Sequence, residues 1–355
     1  MKILFISEGC HPGTSGGIQT FGRALKKMYS NDLGFIATNK DTKKIYDVKD
    51  VEEVRAVNFL PERIVNKLSN NYIRNKIYRD AVNESDADIC VLRSPQNLYF
   101  LKNTNIKKVL VQHSCMDSYF NDYYLNDNKL LELSKKELDY FVVLSPQDKD
   151  VLEKKLKFPS EKIKIIRHSC EIERLDKKTN KNNTLIMIAR LDNRIKKFDL
   201  AIKAMKSLPM YNLKIYGGGS DFKYLSSLIS KLNLKNVELC GETSKVAECL
   251  DDASIFLMLS EDEGYGITNI EAMRRGLPLI IRNTFPGAVD IIDNNGILLS
   301  KEWDEKEFIK GVQQVSKNYD YYSQMSIEHS KLYDINLIKK QWDDLFFLLK
   351  GKKYE

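Results

Sequence analysis

The chain has 355 residues, of which 43% are hydrophobic, an ordinary share for a globular protein. One hydrophobic core usually stops growing at about 250–300 residues, so the length predicts two domains. The formal net charge of +7 is a weak surplus for a nucleic-acid binder, but it suits anionic ligands or anionic membrane surfaces. Most of the surplus lies in the first half of the chain, and no nucleic-acid partner is expected.

The N-terminal segment MKILFISEG has an apolar run of four residues, which is too short for the core of a signal peptide. No stretch approaches the roughly 20 apolar residues that a membrane-spanning helix needs. The six cysteines lie far apart without a Cys-x-x-Cys pair, which favours a reducing compartment and no disulfides. These features predict a cytoplasmic protein.

Short apolar runs recur along the chain, and longer polar segments with helical spacing separate most of them. The first series is KILFIS, LGFIAT, RAVNFL, DICVLRS, KKVLVQHS, DYFVVLS and KIKIIRHS. The second series is LIMIAR, LKIYGGG, VELCGE, IFLMLS, LPLIIR and GILLS. This alternation is typical of open, mostly parallel sheets covered by helices. The sequence therefore predicts an α/β protein with two Rossmann-like domains, residues 1–169 and 170–334.

Glycines and polar side chains follow the predicted strands of both halves. His113 follows KVLVQ, Arg190 follows LIMIA, Gly217 and Gly218 follow KIY, and SEDEGYG follows IFLML. Ligands of open α/β sheets bind outside the carboxyl ends of the strands. We therefore expect two domains that face one another across a central cleft, with the ligand between them.

Residues 261–278, EDEGYGITNIEAMRRGLP, place Glu263 and Glu271 on either side of a glycine-rich turn. Glu271 has a simple structural interpretation, because it completes a capping box if Thr268 is the N-cap of the following helix. Glu263 has no such explanation. The turn brings free main-chain N–H groups and about half a positive charge to the helix start, which predicts an anion site fit for a diphosphate.

The pattern E-G-Y-G-x-x-x-x-E-A-M-x-x-G-x-P resembles the glutamate-x7-glutamate signature of retaining glycosyltransferases of family 4, which have the GT-B fold. Three further segments are similar to that family and occur in its order: PGTSGGIQTFGRAL, VLVQHS and ARLDNRIKKFDLAIKA. The resemblance spans residues 3 to about 300. It implies an N-terminal acceptor-binding domain, onto which a C-terminal helix at about 335–355 packs back, and a C-terminal domain for the nucleotide-sugar.

The resemblance also implies roles for individual residues. Arg190 and Lys196 grip the donor diphosphate, and Glu263 accepts hydrogen bonds from hydroxyls of the transferred sugar. Glu271 holds the ribose, and His113 contacts the donor sugar near the reacting carbon. The remaining donor-binding positions are backbone sites in three loops: Gly16, Gly17, Gly217, Gly218, Gly264, Tyr265, Gly266, Ile267 and Thr268.

No Asp-x-Asp stands at the end of a predicted strand, so we expect neither a metal ion nor another cofactor. The repeated tripeptide His-Ser-Cys, at 113–115 and 168–170, permits a zinc interpretation, but His-x-Cys is a rare spacing for zinc. The resemblance implies transfer of a sugar from a nucleotide diphosphate, UDP before GDP, with retention at the anomeric carbon. Alternative functions are a paired-carboxylate hydrolase, a nucleotide-sugar epimerase and a non-catalytic partner on the same scaffold.

The acceptor is the least specified partner. The resemblance points to a glycan or a lipid-linked hydroxyl in the assembly of a bacterial surface polysaccharide or glycolipid. Residues 63–79 hold five basic side chains, no acidic one and an apolar stripe at helical spacing. Such a helix either covers the first sheet or lies on an anionic membrane beside the acceptor, with the protein peripheral at the inner face of the cell membrane.

Overall fold

The computed structural model describes residues 1–14, 16–38, 48–54, 71–102, 104–177 and 181–351. The chain divides into two compact units. Unit 1 comprises Met1–Ser169 and Ile335–Glu355, and unit 2 comprises Cys170–Asp334. Both are α/β units with a parallel sheet, as the sequence predicts, whereas their roles in acceptor and donor binding stay predictions.

The sheet of unit 1 has seven strands in the order β3-β2-β1-β4-β5-β6-β7. Its strands are β1 (Ile3–Ile6), β2 (Leu33–Thr38), β3 (Val51–Val54), β4 (Ile89–Leu92), β5 (Lys107–Val111), β6 (Tyr140–Val143) and β7 (Ile163–Ile165). The side chains of β1, β4 and β6 are all apolar and buried, as in a parallel sheet with both faces covered. The order reverses between β1 and β4, which makes their carboxyl ends the topological switch point of the unit.

Six described helices of unit 1 precede the chain's passage into unit 2. They are α1 (Gly17–Tyr29), α2 (Tyr72–Glu84), α3 (Leu98–Leu101), α4 (Met116–Tyr123), α5 (Asn128–Glu137) and α6 (Pro146–Lys154). Helix α1 packs through Phe21 and Leu25 on one side of the sheet, and α2 packs through Tyr78 and Val82 on the other.

Unit 2 has a six-stranded parallel sheet in the order β10-β9-β8-β11-β12-β13. Its strands are β8 (Thr184–Ile188), β9 (Asn212–Tyr216), β10 (Val237–Gly241), β11 (Ile255–Met258), β12 (Leu279–Arg282) and β13 (Gly296–Leu299). Its described helices are α7 (Asn193–Lys196), α8 (Phe198–Ala204), α9 (Phe222–Lys231), α10 (Val246–Asp251), α11 (Ile267–Arg274), α12 (Ala288–Ile291), α13 (Glu305–Lys317) and α14 (Tyr319–His329). The switch point of this sheet lies between β8 and β11.

The last helix, α15 (Ile335–Gly351), belongs to unit 1. The Trp342 ring lies 6.2 Å from the Phe21 ring, and the Phe346 ring lies 5.5 Å from the Tyr29 ring. The Tyr29 hydroxyl donates a hydrogen bond to Asp343 at 2.9 Å. The apolar residues of the tail therefore complete the core of unit 1 beneath α1.

Two sequence predictions fall wholly or partly outside the described residues. The predicted strand RAVNFL occupies residues 55–60, which lie outside them. The strand Val51–Val54, which pairs with β2, was not predicted. Of the proposed membrane helix 63–79, only residues 71–79 are described, and there α2 begins at Tyr72. Within the part of the chain that the structure describes, no helix is both long enough and apolar enough to cross a bilayer.

Candidate active site

The carboxyl ends of three adjacent strands of unit 2, β9, β8 and β11, carry the polar loops that the sequence singles out. Arg190 follows β8, the glycine turn at 217–219 follows β9, and Glu263 follows β11. Because these strands neighbour one another in a parallel sheet, their loops lie side by side at the switch point. The site can therefore be described within unit 2 alone.

Lys196 and Glu263 form an ion pair at the centre of these loops. The Lys196 Nζ lies 2.5 Å from the Glu263 Oε1, and the two side chains are only 18% and 13% exposed. The Ser260 hydroxyl donates to the same carboxylate oxygen at 2.9 Å. A second link joins the two loops, since the Glu261 N–H donates to the Ile195 carbonyl at 2.7 Å. Helix α7 and the loop after β11 thus hold a cation and an anion in contact.

The neighbouring lysine is placed differently. Lys197 has a left-handed backbone, with φ of 53°, and its Nζ lies 3.7 Å from the half-exposed Glu261 carboxylate. Glu261 also accepts a bond from the buried Arg282 at 2.9 Å. Of the two adjacent lysines, Lys196 therefore contacts Glu263, and Lys197 lies at the rim.

The glycine turn after β9 supports the loop that carries Arg190. A Cβ atom on Gly217, whose φ is 146°, would lie 1.9 Å from the Ala189 carbonyl oxygen. The Leu191 N–H donates to the Gly218 carbonyl at 2.8 Å. A Cβ on Gly218 would meet only the side chain of Glu242. The close approach of two backbones thus requires a glycine at 217.

Arg190 itself projects into solvent at this edge. Its side chain is 72% exposed, and its guanidinium lies 3.7 Å from the Asp192 carboxylate. An ion pair of this length and exposure contributes little to stability. The side chain is therefore available to an anionic ligand.

Helix α11 begins two residues earlier than a Thr268 N-cap predicts, since its first residue is Ile267. Its N-cap is Gly266, with φ of 72°, and no side chain caps it. The predicted capping box of Thr268 and Glu271 is therefore wrong, because Thr268 is already inside the first turn. Gly264 and Gly266 flank Tyr265, and the uncapped N–H groups at Ile267 and Thr268 are those that a helix start offers to an anion.

The side chain of Tyr265 turns into the core of unit 2 and is 1% exposed. Its hydroxyl donates to Asp290 at 2.5 Å and lies 2.7 Å from the Tyr333 hydroxyl. This residue can thus contribute only its main chain to a donor site. The buried Tyr265 ring anchors the turn between Glu263 and Gly266 to the core of unit 2.

The opposite end of α11 joins the segments where the chain enters and leaves unit 2. Arg274 Nη1 lies 2.5 Å from Asp334, which also pairs with Arg174 at 2.6 Å. Arg274 Nε donates to the Ile172 carbonyl at 2.5 Å. Glu271, on the same helix, lies close enough to Cys170 to add to burial in raising the pKa of that thiol to about 12.

In unit 1, the predicted residues lie at the carboxyl ends of β1 and β5. Gly16 is the N-cap of α1, with φ of 141°, and Gly17 is its first residue. His113 follows β5, and its ring stacks on the His168 ring at 5.8 Å with an angle of 13°. The Phe21 ring lies 5.2 Å from His113. Both ring nitrogens of His113 are buried without a hydrogen-bond partner among the described residues.

The two stacked histidines are neutral in the folded chain. Burial, the neighbouring His168 and the charge of Arg93 hold the pKa of His113 well below its ordinary value of 6.5. Burial lowers the pKa of His168 to about 4. A neutral imidazole has one N–H donor and one acceptor nitrogen, which suits it to sugar hydroxyls.

These lowered pKa values predict how stability depends on pH. The unfolded chain binds protons at both histidines as the pH falls through 6.5. In the folded chain the pKa of His168 is about 4 and that of His113 lies well below 6.5, so both take up protons only at a lower pH. The free energy of unfolding should therefore fall as the pH drops through this window. Urea unfolding at a series of pH values should show a shallower fall for His168→Phe, which keeps a ring at this position. Equal slopes for the variant and the wild type would contradict the assignment.

The sequence analysis did not predict several residues that surround the site. Ser260, Glu261 and Arg282 stand at or just beyond the ends of predicted strands, and a polar residue at that position was the available signal. Asp290 and Tyr333 were not predicted as site residues, and Tyr333 gave no local signal. Across the described ranges, no group of three or more His, Cys, Asp or Glu side chains is arranged to hold a metal ion.

Comparison with known proteins supports a glycosyltransferase. Residues 171–331 match the family model described as glycosyl transferases group 1. The match supports a group 1 glycosyltransferase. The chain is also 27% identical over 350 residues to an uncharacterized glycosyltransferase of Haemophilus influenzae, an alignment that covers 93% of this chain and 96% of that protein.

A poly(glycerol-phosphate) alpha-glucosyltransferase of Bacillus subtilis is 28% identical over 215 residues. That alignment covers 59% of this chain but only 29% of the Bacillus enzyme. Among solved structures, Anabaena HepE in complex with UDP and glucose superimposes with a TM-score of 0.79 at 15% identity, covering 98% of this chain and 100% of that one. At this identity the likeness shows the fold alone, and it confirms the predicted GT-B fold. Both sequence relatives are named as glycosyltransferases.

Proposed function

We propose that the protein is a retaining, metal-independent glycosyltransferase that moves a sugar from a UDP-sugar to a hydroxyl of a glycan or lipid-linked acceptor. The observation that carries the proposal is the contact between Lys196 and Glu263 beside the start of α11. Lys196 can bind a diphosphate, and the Glu263 carboxylate can accept hydrogen bonds from sugar hydroxyls. Both lie at the same edge of the sheet of unit 2. Neither a hydrolase nor a simple binding module needs both.

The donor diphosphate is expected to lie between the side chains of Arg190 and Lys196 and the N-terminus of α11. Negative charge develops on the leaving diphosphate as its bond to the sugar breaks. Two cations and a helix terminus beside the bound diphosphate stabilise that charge, and such electrostatic stabilisation is the largest single contribution in many enzymes. The exposed Arg190 side chain and the uncapped helix start support this arrangement.

The ion pair between Lys196 and Glu263 suggests how donor binding reorganises the site. A diphosphate offers Lys196 a stronger partner than one carboxylate oxygen, so the lysine turns to the phosphates. Glu263 is then released to accept bonds from hydroxyls of the transferred sugar, while Ser260 keeps it oriented. Binding of the correct donor thereby completes the catalytic geometry.

The other residues have supporting roles in the proposal. Glu271 holds the ribose, neutral His113 contacts the sugar, and Gly16 and Gly17 allow the α1 loop to approach the distal phosphate or the acceptor. The turn at Gly217 and Gly218 keeps the Arg190 loop in place.

The reaction exchanges one bond at the anomeric carbon for another on the same face. The bond from the anomeric carbon to the diphosphate oxygen breaks, and a bond to the acceptor oxygen forms. A donor phosphate oxygen takes the acceptor proton, so no side-chain base is required. The acceptor belongs to a bacterial surface polysaccharide or glycolipid, a class that the Bacillus relative's name also suggests.

A panel of UDP- and GDP-sugars tests the proposal. The purified chain should release UDP slowly to water and faster with an acceptor, and the new linkage should keep the anomeric configuration of the donor by NMR. EDTA should leave the rate unchanged, because Arg190, Lys196 and α11 carry the leaving-group charge. Isomerised donor without nucleotide release would identify an epimerase instead, and binding without turnover would identify a non-catalytic partner.

A further inference from the structure

The carboxyl ends of β4 and β5 in unit 1 hold buried polar atoms that lack hydrogen-bond partners among the described residues. They are Arg93 Nε, both ring nitrogens of His113 and the Tyr119 hydroxyl. Arg93 follows β4, His113 follows β5, and Tyr119 lies on α4. At least nine in ten buried polar groups in proteins are hydrogen-bonded, so orphaned atoms at one sheet edge point to a ligand.

Arg93 brings an uncompensated positive charge to this edge. Its Nη1 donates to the main-chain carbonyl of Glu8 at 2.5 Å, not to the carboxylate. The Glu8 carboxylate is engaged by Arg74 at 2.5 Å and by Asn97 at 3.2 Å. Within the described ranges, no ion pair involves Arg93. A partly buried guanidinium without a counter-ion is unfavourable, and an anionic ligand relieves that cost.

The remaining N–H groups of the Arg93 guanidinium are arranged to bind an oxyanion. Because Nη1 is used by Glu8, the Nε–H and the Nη2 group remain as the side-on fork that meets two oxygens of a carboxylate or phosphate. The Tyr119 ring is held by Tyr123 at 4.7 Å and Phe141 at 5.6 Å. Its buried hydroxyl stays protonated, since burial raises the pKa of Tyr119 well above 10. The charge of Arg93 acts on this hydroxyl, so the two groups lie close together and the hydroxyl is a second donor beside the guanidinium.

The neighbours of Arg93 add no competing charge. His113 and His168 are neutral, and Glu8 is paired with Arg74. Because the net charge of this cluster is positive, a metal cation is disfavoured. A wholly neutral sugar hydroxyl would leave the guanidinium without a counter-ion.

We propose that unit 1 binds an anionic group of the acceptor, a phosphate or a carboxylate, with Arg93 as its charge partner and the Tyr119 hydroxyl as a second donor. This inference rests on the proposed function, because it names the chemical class of the acceptor. His113 keeps its role toward the donor sugar. The acceptor is therefore an anionic glycan or a lipid phosphate, and not a neutral saccharide.

Calorimetric titration of small probes into the whole chain tests the proposal. UDP is first added to saturation, so that the donor site cannot bind the probe. Glycerol 1-phosphate, glycerate and glycerol are then titrated as matched phosphate, carboxylate and neutral probes. We expect binding of at least one anionic probe and none of glycerol, and the stronger anion identifies the acceptor group.

Two variants make the test specific. Arg93→Gln removes the charge and the fork and should weaken binding of the preferred anion at least about tenfold. Arg93→Lys keeps the charge without the fork and should have an intermediate effect. Arg79→Gln is the matched control, because Arg79 lies in the same unit and bonds the Phe100 carbonyl at 3.2 Å. It should bind the probes as the wild type does.

The outcomes separate this inference from the donor assignment. Equal anion affinity in Arg93→Gln and wild type, or no anion binding by the wild type, overturns the acceptor proposal. A wild-type chain that neither binds UDP nor turns over a UDP-sugar overturns the proposed function instead. In that case the anion titrations without UDP still report whether Arg93 holds an oxyanion. Unfolding curves of the Arg93 variants show whether a loss of binding reflects a loss of fold.

Discussion

Replacement of Lys196 by alanine is expected to lower donor turnover by roughly 10²–10³-fold, the usual cost of losing one preorganised contact to developing charge. On the proposed function, the variant loses a cation that stabilises the leaving diphosphate. It also leaves the largely buried Glu263 carboxylate without its ion-pair partner. We expect the loss mainly in kcat, because the charge on the diphosphate grows toward the transition state. Steady-state rates of UDP release from the preferred UDP-sugar measure it.

Glu263→Gln completes a double-mutant cycle with Lys196→Ala. If the two side chains act on one donor, the double variant should lose much less than the product of the two single losses. Lys197→Ala is the matched control, since Lys197 is the adjacent lysine and contacts Glu261 at the rim. It should keep nearly the wild-type rate. A larger loss for Lys197→Ala than for Lys196→Ala would reverse the assignment of the diphosphate clamp.

Gly217→Ala is expected to destabilise unit 2 by on the order of 3 kcal/mol or more, among the largest effects of a single substitution. The added Cβ would lie 1.9 Å from the Ala189 carbonyl oxygen, and the backbone φ of 146° is one that side chains rarely adopt. The clash is with the main chain of the Arg190 loop, so no rotamer relieves it. Urea unfolding measures the stability, and titration with UDP shows whether the loop still binds the nucleotide.

Gly241→Ala separates the two causes of that loss. Gly241 also has a positive φ, of 79°, but a Cβ there would meet nothing within 4 Å. Its cost should therefore be only that of the backbone conformation, roughly 1–2 kcal/mol. If both variants lose the same stability, the close approach to Ala189 is not what requires glycine at 217.

The strands and the loops after them could be predicted because their signal is local. An apolar run such as IFLMLS marks a buried parallel strand, and Gly264 and Gly266 mark the turn that follows it. The start of α11 was predicted two residues late, because Thr268 is a good N-cap by type while the backbone of Gly266 takes that position. The backbone conformation of Gly266, and not the N-cap propensity of Thr268, therefore sets the start of the helix.

Contacts between distant segments could not be derived in the same way. Lys196 and Glu263 are 67 residues apart, and their contact depends on β8 and β11 being neighbours in the sheet. The Tyr265 ring could have faced the ligand or the core, and only its bonds to Asp290 and Tyr333 decide the question. Arg93 belongs to no sequence motif. Its proposed role in anion binding rests on the pairing of the nearby Glu8 carboxylate with Arg74, which the sequence does not reveal.

Helix α11 has a practical consequence for the design of chimeric enzymes. Its Arg274 holds Asp334 and the Ile172 carbonyl, which belong to the two stretches where the chain enters and leaves unit 2. A graft of a foreign N-terminal half onto residues 170–334 must keep Arg174, Arg274 and Asp334 as one set. Junctions cut inside that set would loosen the far end of the helix whose first turn we propose to meet the nucleotide, so we expect such a chimera to fold and still fail to hold its donor.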